Sequence, residues 1–161
     1  MISYSGKEID FTGCPGCAYA KHEFMLDCGI AYQDEYFTVS QDWELPIQGF
    51  FVICPASRHV ESLKELTDDE LAKMFVLAAK TEKILVDMGV AKQFNFVIQE
   101  KQGVHLHLWL MPQQKWMEKL TLNPMANVKA VFDYAKANLR TQENLDAIKE
   151  ISIRLGEALN K

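Results

Sequence analysis

Val104-His105-Leu106-His107-Leu108-Trp109-Leu110-Met111-Pro112 alternates residue by residue between two characters. An extended chain sends successive side chains to opposite faces. Val104, Leu106, Leu108 and Leu110 therefore make one wholly apolar face, which needs a core beneath it. His105, His107, Trp109 and Met111 share the other face, which is a site or a second covered surface. Paired histidines on a strand are in themselves more often structural than functional. What converges on them decides.

Working outward, Phe94 to Ile98 reads as a partner strand, joined to the first by a polar turn, Gln99 to Gly103. Before it, Thr67-Asp68-Asp69-Glu70 has the form of a capping box. Leu71, Met74, Phe75, Ala78, Leu85 and Met88 follow at helical spacing and Gly89 supplies the stop, so a long helix is predicted over 67–88. Phe50 to Cys54 is a continuous apolar run closed by Pro55, as in a central strand. Two shorter strands, Gly29 to Gln33 and Tyr36 to Ser40, flank a turn at Gln33-Asp34-Glu35. Cys14-Pro15-Gly16-Cys17 is a turn, with a short helix expected over Ala18 to Leu26.

From Asn123 onward the pattern is helical, at roughly 124–138 and 141–159. The order predicts an α+β fold: an antiparallel sheet, a long helix and a C-terminal helical pair. We expect residues 1–120 to form the main domain and 121–161 an extension packed on it.

With 161 residues, 48% of them hydrophobic, the chain can bury one proper core. Its net charge of −5 argues against a protein that tracks a nucleic-acid backbone, which needs clustered Lys and Arg. A small phosphate ligand stays open. The N-terminus lacks a basic stretch followed by an apolar run, and no apolar segment approaches the ~18 residues of a membrane helix. The expectation is a cytoplasmic protein without membrane association.

Four cysteines suit a reducing compartment, where a close pair is metal-binding or redox-active. Cys14 and Cys17 have the bite of a zinc-binding Cys-x-x-Cys turn. A redox pair is the competing reading, although no βαβ pattern surrounds it. Cys28 and Cys54 read as small buried hydrophobes. His22 reads as a solvated helix residue and Asn95 as a strand-edge residue. Met111, Trp116 and Met117 read as packing under the C-terminal helices.

Taken together, these segments resemble the histidine-triad (HIT) superfamily. The 105–112 run is similar to its His-φ-His-φ-His-φ-φ-Pro strand, with Trp109 in place of the third histidine. Asp42, Pro46, Gly49, Val52, Ile53, Pro55 and His59 follow the spacing of its Asp-loop-Gly-strand-Pro-x-x-x-His segment. Cys14-Pro15-Gly16-Cys17 sits where many bacterial members carry Cys-x-x-Cys.

The resemblance implies roles. Cys14, Cys17, His59 and His105 match positions that bind structural zinc (Zn2+). His107 matches the nucleophile that forms a covalent nucleotidyl intermediate. Asp42 matches the residue that holds the ribose hydroxyls, with Trp43 beside it as a nucleobase wall, and Gln99 matches an amide that touches phosphate. The implied ligand is a nucleotide or dinucleoside polyphosphate, the implied activity hydrolysis or nucleotidyl transfer, and the implied assembly a homodimer. Two departures bear on phosphate handling. Trp109 can donate a hydrogen bond but cannot carry a proton, and the loop at Glu100 to Gly103 is shorter than the family's. A zinc-stabilised nucleotide-binding module without turnover is therefore a second expectation, and a redox protein working through Cys14 and Cys17 a third.

Overall fold

A computed structural model describes residues 1–101, 104–121 and 123–161. The five strands are β1 (Tyr32–Gln33), β2 (Phe37–Gln41), β3 (Phe51–Pro55), β4 (Phe94–Lys101) and β5 (Val104–Pro112). They form one antiparallel sheet in the order β1-β2-β3-β5-β4. The helices are α1 (Pro15–Ala20), α2 (Asp68–Asp87), α3 (Lys115–Glu118), α4 (Val128–Asn138) and α5 (Gln142–Leu159). This is the α+β architecture expected. No helix among the described residues is long and apolar enough to cross a membrane.

Several boundaries move, each for a local reason. The first strand shrinks to two residues, after Gly29 takes a positive φ of 70°. Asp34 Oδ1 then accepts from the backbone N–H groups of Tyr36 and Phe37, both at 2.7 Å, and turns the chain into β2. The helix expected over Ala18 to Leu26 starts earlier, because Pro15 can occupy the first helical turn without losing a hydrogen bond. It ends before His22, which sits in an exposed turn at φ 60° and is not a helix residue.

The polar turn after Ile98 is shorter than expected. β4 runs on through Lys101, with Gln99 opposite His107 and Lys101 opposite Val104. Gln102 and Gly103 of the expected turn lie outside the described residues. α4 begins at Val128 because Asn123 Oδ1 accepts from Ala126 N–H at 3.1 Å and holds a turn first. The short α3 was not foreseen.

The sheet is covered on both faces. Leu106, Leu108 and Leu110 are buried in one cluster with Val39, Phe51, Ile53, and with Met74, Ala78 and Leu85 of α2. Val104, at the strand's open end, is exposed instead. The opposite face carries two separate clusters. One joins Tyr4, Tyr19, Phe24 and Cys28 to Ile148 of α5. The other joins Leu45, Ile47, Phe50, Met111 and Met117 to Val131 and Ala135 of α4, so Met111 and Met117 do lie under a C-terminal helix. Between these clusters the sheet face stays open. α5 reaches around the β1 edge, placing Leu155 in the first cluster and Ile148 in the second.

The capping box forms as read. Thr67 Oγ1 accepts from Glu70 N–H at 3.2 Å, and Glu70 Oε2 accepts from Thr67 N–H at 2.8 Å. The Arg58 guanidinium also grips Glu70 and donates to Glu65 O at 2.8 Å, so the chain leaving β3 is tied to the start of α2. Arg58 beside it, with the Thr67 backbone, holds the Glu70 carboxyl down at about 2.

A depressed carboxyl contributes stability that is present above its unfolded value, near 4.5, and lost as pH falls through about 2. Urea unfolding should therefore show Thr67→Ala to cost about 1 kcal/mol. Glu70→Gln should flatten the loss of stability between those two pH values relative to the wild type.

Candidate active site and metal centre

The open strip of the sheet is floored by alternate residues of the central strands. Val52 of β3 lies opposite Trp109 of β5, which lies opposite Val97 of β4, and His107 lies opposite Gln99. At one end of this strip Cys14 to Cys17, which form the N-cap and first turn of α1 and not a separate turn before it, come down onto His105. His59 arrives from the loop after β3.

These four residues bring one ligand atom each within 4.8 Å of one another. Cys14 Sγ is 3.3 Å from His105 Nδ1 and 3.2 Å from His59 Nδ1. Cys17 Sγ is 3.6 Å from His105 Nδ1 and 3.7 Å from His59 Nδ1. A tetrahedral ion with bonds of about 2.3 Å to sulfur and 2.0 Å to nitrogen requires S···N edges of about 3.5 Å. All four edges are near that length, so the residues fit a four-coordinate metal.

The outward nitrogens support the same reading. His105 Nε2 donates to Pro55 O at 2.9 Å, and His59 Nε2 donates to Glu61 Oε1 at 3.3 Å. Each leaves Nδ1 as the lone-pair atom facing the sulfurs. Burial pushes the Cys17 thiol up and holds His105 below the usual imidazole range. Both groups are thus neutral until a cation displaces the thiol protons.

Gly16 is required by this contact. A Cβ there would lie 2.6 Å from His105 Cγ and 2.8 Å from its Nδ1. Only a glycine lets the turn close on the ring.

Two residues along β5, His107 is half-buried. Its Nδ1 donates to the His105 carbonyl at 2.9 Å, leaving Nε2 as the acceptor. Nε2 lies 3.0 Å from Gln99 Oε1; with Nδ1 carrying the proton, it accepts from Gln99 once the amide is turned so that its –NH2 faces the ring. The imidazole is therefore fixed in one tautomer with its basic nitrogen toward the cleft.

The cleft measures about 320 Å³ and is lined by His107, Gln99, Trp109, Asp42, Trp43 and His105 among others. Asp42 is buried, and its Oδ1 accepts from Glu44 N–H at 3.0 Å and Leu45 N–H at 2.9 Å. Among the described residues nothing donates to Oδ2. Burial raises this carboxyl to about 6 despite those two hydrogen bonds. Trp43 borders the cleft, but its ring packs on Tyr19 at 5.1 Å and edge-on to Phe24 at 5.7 Å, so part of it belongs to the core.

The catalytic, substrate-binding and metal-ligating candidates read from the sequence thus meet around one cleft and the candidate metal cluster beside it. Reading the sequence missed Glu44, Phe132 and Lys136, which also line the cleft. Phe132 gave only a helical-stripe signal, with Val128, Val131 and Ala135. Lys136 gave only that of a solvated charge. Asn95 lies at a strand edge as expected, accepting from Gln113 at 3.4 Å.

A family model described as the HIT domain matches residues 24–116. No curated protein matches the chain. Solved structures do. A Zn-bound histidine triad family protein from Mycobacterium smegmatis is 16% identical, aligned over 91% of this chain and 95% of its own, with a TM-score of 0.64. A Hit-like protein from Bartonella henselae, described as involved in cell-cycle regulation, is 14% identical over 88% and 92%, with a TM-score of 0.61. A hypothetical histidine triad nucleotide-binding protein from Sulfolobus tokodaii is 19% identical over 91% and 94%, with a TM-score of 0.58. At these identities the likeness is one of fold.

Because the Gly16–His105 contact leaves no room for a methyl group, Gly16→Ala should weaken metal retention at least ~10-fold, within the range seen when a ligand's support is disturbed. Competition with a chromogenic chelator measures it. Wild-type retention in that variant would mean the turn does not seat on His105.

Proposed function

The chain belongs to the HIT domain family, and from that premise we propose that it is a nucleotide hydrolase or nucleotidyltransferase acting through His107, with structural zinc at Cys14, Cys17, His59 and His105. The observation that carries this reading is the fixed tautomer of His107: Nδ1–H held by the His105 carbonyl, Nε2 presented to the cleft beside Gln99. Two thiolates and two imidazoles form a donor set of the kind zinc prefers. The Mycobacterium smegmatis relative is Zn-bound, which supports that choice of metal. Zinc held by these four residues would have no open position and would act as a staple under the active strand.

In the proposed reaction, His107 Nε2 attacks the α-phosphorus of a bound nucleotide, forming a P–N bond as the bond to the leaving group breaks. The leaving group takes its proton from solvent. Nδ1 keeps its proton throughout, and the His105 carbonyl stabilises the positive imidazolium. Water, or an acceptor hydroxyl, then attacks phosphorus from the vacated side, breaks the P–N bond and restores the imidazole. Gln99 orients the ring and then the phosphoryl oxygens. Asp42 Oδ2 accepts from ribose hydroxyls, and Trp43 walls the base.

The alternative is a zinc-stabilised nucleotide-binding module without turnover. Trp109 favours it, because its indole N–H can donate to a phosphate oxygen but cannot move a proton. Four free cysteines suit the cytoplasm. The edge strand β4, with Phe96 exposed, is the place where a second copy would pair into a homodimer.

Metal analysis should return about one zinc per chain, since the four ligands make one tetrahedral site. A metal-free protein whose Cys14 and Cys17 cycle between thiol and disulfide would instead support the redox reading. His107→Ala should abolish turnover of nucleoside phosphates, and an alkaline quench, in which a histidine P–N bond survives, should trap labelled protein in the wild type and none in the variant. Nucleotide bound tightly by a wild type that turns over nothing would select the binding module.

The Asp42 carboxyl titrates near 6. Nucleoside affinity should therefore fall as pH drops from 7 to 5, as the acceptor becomes protonated, and Asp42→Asn should remove that dependence. The raised value has the opposite effect on folding. Stability from the neutral acid is present below the unfolded value of 3.8 and lost as pH rises through about 6.

A further inference from the structure

Helix α4 lies outside the segment that the family model matches, residues 24–116, yet two of its side chains border the cleft. We propose that α4 completes the substrate site: Phe132 with Trp109 is a rest for an aromatic ring of the substrate beside His107, and the Lys136–Glu44 pair limits the site to one anionic group. This rests on the nucleotide reading above and names the substrate class it selects.

The aromatic wall is rigid. Trp109 stands edge-on to Phe50 at 5.5 Å and to Phe132 at 5.7 Å, while the Trp109 and His107 rings are 5.7 Å apart. Held between two phenyl rings, the indole cannot swing away to admit a string of phosphates. Phe132 is itself half-buried against Phe50, so its place is set by the third hydrophobic cluster.

Charge points the same way. Among the described residues lining the cleft, the carboxylates are Asp42 and Glu44, and the cationic side chain is Lys136. Lys136 Nζ is already 2.9 Å from Glu44 Oε2. One phosphodiester anion can be met by Lys136 turning from Glu44 and by the Trp109 indole N–H. Every further phosphate adds about one negative charge, and the other cation bordering the cleft, the Met1 ammonium, is already engaged with Ile9 O at 3.0 Å. Size agrees, since about 320 Å³ lies at the low end of the ~300–1,000 Å³ of small-molecule pockets. The favoured substrate is thus a nucleoside 5′-monophosphate whose phosphorus bears one aromatic or apolar leaving group.

The test compares two probes on the zinc-loaded protein. They are an aryl ester of a nucleoside 5′-monophosphate and a dinucleoside tetraphosphate, the latter with and without Mg2+. Dissociation constants and kcat/KM are both measured. The wild type should favour the ester at least ~10-fold. Phe132→Leu, which keeps the apolar volume, should weaken ester binding about tenfold and leave the tetraphosphate nearly unchanged. Glu44→Gln, which frees Lys136, should tighten the tetraphosphate about tenfold.

Equal or tighter wild-type binding of the tetraphosphate overturns the proposal, as does a Phe132→Leu variant that weakens both probes alike. Turnover that persists in either case leaves the His107 chemistry standing and removes only the role of α4. Binding in the expected ratio without turnover does the reverse. Binding of neither probe overturns both.

Discussion

His105 is used at three of its atoms, and each use fixes a different part of the molecule. Its Nε2 donates to Pro55 O at the end of β3. Its Nδ1 faces the two sulfurs of the Cys14–Cys17 turn. Its backbone carbonyl accepts from His107 Nδ1. Remove the ring, and the N-terminal turn has nothing to seat on. Move the carbonyl, and His107 loses its tautomer. The candidate metal ligand and the candidate nucleophile are therefore coupled through one peptide unit as well as one strand.

That coupling works because the strand beneath it is anchored in the core. Leu106 and Leu108 flank His107 from the opposite face and are fully buried, so the strand cannot rotate without exposing apolar surface. The loop that delivers His59 is held as firmly at its other end, where Arg58 grips the capping carboxylate of α2. The helix cap thus does two jobs. It satisfies the helix start and fixes the loop that brings His59 to the cluster.

Much of this was legible in residue spacing. Alternation along 104–112 gave the strand and both its faces, and the Thr67–Glu70 box gave the helix start to the residue. Alternation is local and survives into the folded chain unchanged. Cys14, Cys17, His59 and His105 could be gathered only by resemblance, because no local rule brings residues so far apart in sequence to one point. Boundaries failed where side chains intervened, at the Asp34 turn and the Asn123 turn. Phe132 and Lys136 were illegible for a different reason. A residue on an amphipathic helix announces that it faces something, but not that the something is a cleft.

The reach of α5 has a consequence for how the chain must assemble. Ile148 completes the cluster holding Tyr4, Tyr19 and Phe24, and Ser152 Oγ donates to Cys28 O, so these elements are finished by a helix made much later. Arg140 likewise donates to Tyr4 O. During synthesis the Cys14–Cys17 turn emerges well before α5 and then waits, without that apolar support, until α5 has left the ribosome. A cysteine pair that stays unsupported for that long is open to stray metal and oxidant. The order of the chain thus makes the newborn polypeptide, rather than the folded protein, the state in which this centre is most vulnerable.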